Sequence, residues 1–148
     1  MNPDQLDLAR RLAAHPRFEW RRGMAALESS PSGNWQPGDY EWRILSGAPD
    51  VAAVTSEHDI HEAPYMPSAF ARAYPDLTDA ATGGVLLEML VQACGDGVGW
   101  FIKRAGTYTV THGTEKTSKP GLMRTKKATG TTLAEACARA LLAEWGEA

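Results

Sequence analysis

Gly99-Trp100-Phe101-Ile102-Lys103-Arg104, Ala105-Gly106, Thr107-Tyr108-Thr109-Val110-Thr111 is the stretch on which the fold turns. Aromatic and β-branched residues flank a two-residue, glycine-containing break, the pattern of a β-hairpin. A hairpin commits its two strands to antiparallel pairing. Helical patterns lie on both sides of it, so the expected fold is α+β: about three helices packed on an antiparallel sheet.

Upstream, the clearest helix runs from about Asp79 to Cys94, where Val85, Leu86, Met89, Leu90 and Ala93 recur at helical spacing. Asp79 can cap its start, and Gly95-Asp96-Gly97 ends it with residues that tolerate positive φ. The internal pair Gly83-Gly84 costs about 1 kcal/mol per residue relative to alanine. Either another backbone packs closely there, or the helix begins later. Downstream, Thr132-Leu133-Ala134-Glu135 matches a capping box and opens a helix to about Trp145. Leu133, Cys137, Ala140, Leu141 and Trp145 share one side of it, and its alanines allow close approach to a sheet. At the other end of the chain, Asn2 caps a helix over Pro3 to Ala14, with Leu8, Ala9, Leu12 and Ala13 as its apolar stripe and His15-Pro16 as its stop.

Between these lie weaker signals. Asp39 to Leu45 alternates as a half-buried strand, and Arg17 to Arg22 with Met24 to Leu27 offers another edge. Val51 to Val54 is ambiguous. Ser29 to Gly38 reads as a loop. His58 to Pro75 reads as an irregular surface passage with a brief helical turn at Ser68 to Ala73. No linker or repeat divides the 148 residues, so residues 1–148 are expected to form a single domain, which at this size buries about 70% of its unfolded surface.

Pro75-Asp76-Leu77-Thr78-Asp79-Ala80-Ala81-Thr82, the Leu86 to Cys94 helix, Gly95-Asp96, a strand pair and then Thr131-Thr132-Leu133-Ala134-Glu135-Ala136 form an ordered set of motifs. In that order the chain resembles the phage ABA sandwich domains, over roughly residues 75 to 145. Leu8-Ala9-Arg10-Arg11-Leu12-Ala13 through Trp20 and Met24 is also similar to openings found in such phage proteins. The sequence departs from the pattern at Ala93-Cys94, where an aromatic is usual, and in a longer, more basic Lys116 to Lys127 insert. The resemblance implies no catalytic residues. It implies a phage context, in which small domains bind host machinery.

The net charge of −3 conceals a reversal of sign along the chain. Between Val98 and Gly130 there are seven basic residues (Lys103, Arg104, Lys116, Lys119, Arg124, Lys126, Lys127) against Glu115 alone, whereas Glu28 to Asp96 carries eleven acids against Arg43 and Arg72. Separated charge focuses a field that draws an oppositely charged partner. The candidate binding residues are therefore Lys116, Lys119, Arg124, Lys126 and Lys127, read as a basic loop whose Thr and Ser hydroxyls suit phosphate and whose Pro120-Gly121 forms its turn. The bland alternative is a solvated hairpin tip whose lysines keep a sheet edge from pairing. Trp35, in a Pro/Gly loop near Tyr40, is a candidate protein-interface anchor. The acidic stretch could itself imitate nucleic acid toward a basic partner.

Other constellations fall short of a known chemistry. Glu57-His58-Asp59-Ile60-His61-Glu62 places two imidazoles three residues apart, which one helical turn could present to a metal, but no further Cys/His cluster completes a tetrahedron. It reads as an acidic loop, and no metal or cofactor is expected. His15 and His112 have no nucleophile motif beside them. Gly95-Asp96-Gly97-Val98-Gly99 runs helix to strand, the reverse of a dinucleotide fingerprint. Cys94 and Cys137 read as two buried thiols. With no signal-like opening and no apolar run near the roughly 20 residues of a membrane span, cytoplasmic residence is expected. The leading expectation is a non-enzymatic phage accessory protein that binds, and inhibits, a host target such as a defence system. The alternative is a nucleic-acid- or nucleotide-binding module using the basic 116–127 loop. An enzyme acting on a nucleotide would need distant residues to converge.

Overall fold

A computed structural model of the chain describes residues 1–28, 41–44, 51–55, 60–64, 73–95 and 98–146. Among these are three helices, α1 (Pro3–Ala14), α2 (Ala80–Cys94) and α3 (Leu133–Trp145), and eight strands in two antiparallel sheets. The first sheet has the order β4-β3-β2-β1-β5, with β1 Ala25–Glu28, β2 Glu41–Ile44, β3 Val51–Thr55, β4 Ile60–Pro64 and β5 Ala73–Pro75. The second is β6-β7-β8, with β6 Val98–Arg104, β7 Thr107–Lys116 and β8 Met123–Gly130. The fold is α+β, as expected.

Local chemistry explains the helix boundaries. Asn2 accepts from the Gln5 N–H while the Gln5 side chain accepts from the Asn2 N–H, a full capping box at α1. Asp79 accepts from the Thr82 N–H at α2, and Gly95, at φ +57°, ends that helix. Helix α2 does begin at Ala80, so the first reading of the glycine pair holds. A Cβ on Gly83 would stand 3.1 Å from the Ala134 backbone nitrogen, whereas Gly84 faces open space.

The box expected at α3 is only half made. Thr132 accepts from the Glu135 N–H, but Glu135 turns to the neighbouring Thr131, taking its N–H and hydroxyl at 2.9 and 2.8 Å. It does so because Gln5 of α1 donates to the same carboxylate oxygen from 3.1 Å. Glu135 thus locks α1, α3 and the end of β8 together, with Arg139 on its other oxygen. Burial pushes this carboxyl up, but the donors from Thr131, Gln5 and Arg139 outweigh it and hold the pKa at about 2.

One cluster of buried side chains draws on all three helices and on β1, β5 and β7: Leu8 and Leu12, Leu86 and Leu90, Cys137 and Leu141, with Leu27, Tyr74 and Val110. Helix α3 is its centre. Of the expected stripe Cys137, Ala140 and Leu141 are buried and Leu133 and Trp145 half-buried, while Ala134, Ala136, Ala138 and Leu142 are buried too, so the helix is covered on most sides. Along α2, by contrast, Ala93 is exposed.

Several weak strand readings are corrected. The ambiguous Val51 stretch is strand β3, and the passage from His58 to Pro75 contains β4 and β5. Its prolines disguised it, yet Pro64 and Pro75 belong to the two edge strands, where a missing N–H is tolerated. His61 therefore lies on a strand, without the helical turn a two-imidazole site would use, and His58 lies outside the described residues. The turn expected from Ser68 also falls outside them up to residue 72, and Ala73 is extended. Arg17 to Arg22 forms no strand. Phe18 and Trp20 pack edge to face there, before a turn closed by Met24 N–H on the Arg21 carbonyl.

Candidate site on the three-stranded sheet

The β6–β7 hairpin turns through Ala105 and Gly106 at φ +51° and +78°, both left-handed as a two-residue turn of matching twist requires. The strands then alternate. Tyr108, Val110 and His112 face the helices, and Thr107, Thr109 and Thr111 face outward. Register carries the pattern across: Thr109 pairs with Thr129, Thr111 with Lys127, Thr114 with Thr125 and Lys116 with Met123. Between Thr111 and Thr114 the register shifts, so His112 and Gly113 together oppose Lys126. Gly113 sits at φ +126° in this bulge.

The basic segment is mostly strand, which corrects its reading as a loop. Strand β7 runs through Lys116, β8 starts at Met123, and only residues 117–122 turn. Thr117 organises the turn: its N–H and hydroxyl both donate to the Leu122 carbonyl, at 3.1 and 2.9 Å, and its oxygen accepts from the Lys119 N–H. Leu122 N–H closes on the Lys119 carbonyl around Pro120 and Gly121, the latter at φ +79°, as a type II turn needs.

Because strand neighbours point to opposite faces, the seven cations do not form one patch. Lys126 turns under the sheet to Glu144, whose same oxygen lies 2.8 Å from Nδ1 of the buried His112. Burial raises the Glu144 carboxyl, and hydrogen bonds from Lys126 and His112 more than reverse it, leaving its pKa lowered. Arg124 pairs with Glu115 beside it, and Lys103 lies over the Tyr108 ring, 5.3 Å from its centroid. Lys119 sits on the turn. Arg104, Lys116 and Lys127 remain on the outer face with Thr107, Thr109, Thr111, Thr114, Thr125 and Thr129, and among the described residues that face holds no carboxylate. Trp35 lies outside the described residues.

Two features escaped the sequence reading. The first is the threonine face, which its alternation from Thr107 to Thr111 and again from Thr125 to Thr129 could have signalled. The second is the apolar pair at the hairpin end: Leu122 and Met123 are 53% and 52% exposed. Past the bulge, β7 pairs among the described residues with β8 alone, so this end is a two-stranded ribbon reaching beyond β6. His112, for its part, has a partner 32 residues away that no local motif could announce.

The thiols are free. Burial pushes Cys137 up to about 12, and it raises Cys94 too, with Glu144 adding to the rise and Lys126 opposing it. Among the described residues no three His, Cys, Asp or Glu side chains gather as metal ligands, and no helix is long and apolar enough to cross a membrane. No family model, curated protein or solved structure matches the chain.

Proposed function

We propose that this protein is a non-enzymatic accessory protein of phage type that binds a host protein through the β7–β8 ribbon. The observation that carries the reading is the pair Leu122 and Met123, more than half exposed, with Lys116 opposite Met123 in register and Lys119 in the same turn. Large apolar side chains presented on a projecting turn suit a pocket on a protein surface, and the surrounding cations suit acidic residues at that pocket's rim. Inhibition of a bacterial defence system is the activity we attach to this binding, on the strength of the resemblance across residues 75–145.

Affinity capture from host lysate with the wild type and with the Leu122→Asp/Met123→Asp double variant tests the ribbon. Loss of a captured protein in the variant supports it, and identical capture by both rejects it. Plating efficiency of a phage on defended cells, with and without the protein, tests the inhibitory activity.

The second reading, a nucleic-acid-binding module, is favoured by the carboxylate-free face of threonines with Arg104, Lys116 and Lys127. Hydroxyls and cations of this kind contact phosphates. Three phosphate contacts would give a log–log salt slope of about −3 on duplex DNA. Binding that ignores salt, or that survives Lys116→Glu/Lys127→Glu, excludes this reading.

A further inference from the structure

Among the described residues, strand β8 has β7 on one side and no strand on the other. Along that free edge runs a groove of about 470 Å³ between β8 and the helices α1 and α3. Its floor is Leu8 and Leu142, and Arg11, Arg139 and Lys127 stand around it, with no carboxylate in its lining. Arg11 and Arg139 are held in place from their own helices, by Asp7 at 3.7 Å and Glu135 at 2.8 Å, while Lys127 has no ion-pair partner among the described residues. A bare strand edge offers unpaired N–H and C=O groups at a repeating spacing, which an extended peptide can match. The cations select its charge.

We propose that this edge takes an extended acidic segment of a partner protein as a fourth strand beside β8. In such an added strand, alternate side chains face opposite ways. One set would lie over Leu8 and Leu142, between Arg11 and Arg139. The other would lie beside Lys127 and Thr129 on the outer face. The fitting sequence therefore alternates apolar and acidic residues. The site is distinct from the ribbon end, so a partner could use either alone.

A blocked seven-residue peptide of alternating glutamate and valine, fluorescently labelled, is the probe. It should bind the full chain saturably, with affinity falling as salt rises, and should slow hydrogen exchange at those β8 amides between Lys126 and Thr129 that point away from β7. Replacing glutamate by lysine should weaken binding about tenfold or more, and Lys127→Glu in the protein about fivefold. A central proline in the peptide should abolish it by removing an N–H from the ladder. No saturation at millimolar peptide, equal binding of the proline peptide, or protection elsewhere than β8 would each overturn the proposal. The lysines of β8 would then serve only to keep copies of the chain apart. Failure of the ribbon reading appears separately, as unchanged lysate capture by the Leu122/Met123 variant.

Discussion

Gly130 and Met123 are the two ends of one strand, and they live in opposite environments. At Gly130, β8 passes so close under α3 that a Cβ would lie 2.6 Å from the Ala136 backbone nitrogen and 2.8 Å from the Glu135 Cβ. At Met123 the same strand pairs, among the described residues, with β7 alone, and its side chain is half in solvent. The buried end holds the fold together and has no room for change. The free end is exposed and lies outside the buried cluster.

The sharpest way to break this contrast is Gly130→Ala. The contact is with backbone, which cannot swing aside, so a loss of about 3–4 kcal/mol is expected in chemical denaturation. A loss below about 1 kcal/mol would mean that the strand and helix are not so tightly apposed.

Acid should then act at the same junction. The Glu135 pKa is lowered in the folded state, from an ordinary value of 4.5 to about 2. Its contribution is therefore complete above pH 4.5 and drains away as pH falls toward 2, by about 3 kcal/mol in all. Glu135→Gln should remove much of that acid-dependent loss, and Glu144, lowered in the same direction, accounts for part of the remainder. A stability–pH profile that the variant leaves unchanged contradicts the assigned hydrogen bonds.

The glycine pair in α2 sharpens the comparison further. Gly84→Ala adds a methyl to open space in a helix interior and should raise stability by about 1 kcal/mol. Gly83→Ala meets Ala134 and should forfeit that gain. Equal gains at both positions, read as thermal midpoints, would deny the close crossing of α2 and α3. The smallest effect belongs to the free end. Leu122→Ser with Met123→Ser should change stability by no more than about 0.5 kcal/mol, while disrupting capture of a protein partner.

The helices were legible because their signals are local. Asn2 and Asp79 cap within three residues, and apolar spacing marks the stripe of α1 over a few turns. The hairpin turn at Ala105-Gly106 was legible for the same reason. Strand β5 was not, since it pairs with β1 from far away in sequence; β3 and β4 pair with each other across a short connection, but the alanines of β3 blur its alternation and Pro64 gave β4 the wrong local cue. The basic stretch was visible as composition only. Lys126 and Lys127 are adjacent in sequence, yet one is drawn in to Glu144 and the other left on the threonine face.

Sequence by itself determined the helices, the two-residue turn, the α+β class and the excess of positive charge near the second sheet. These depend on φ preferences, caps and periodicities that act across a few residues. Tertiary structure alone decided which cations share a face, that a groove lies along β8 beside Arg11 and Arg139, and that Glu135 answers to Gln5 from 130 residues away. Those outcomes follow from strand register and helix docking, where the energy comes from groups brought together only once the chain has folded.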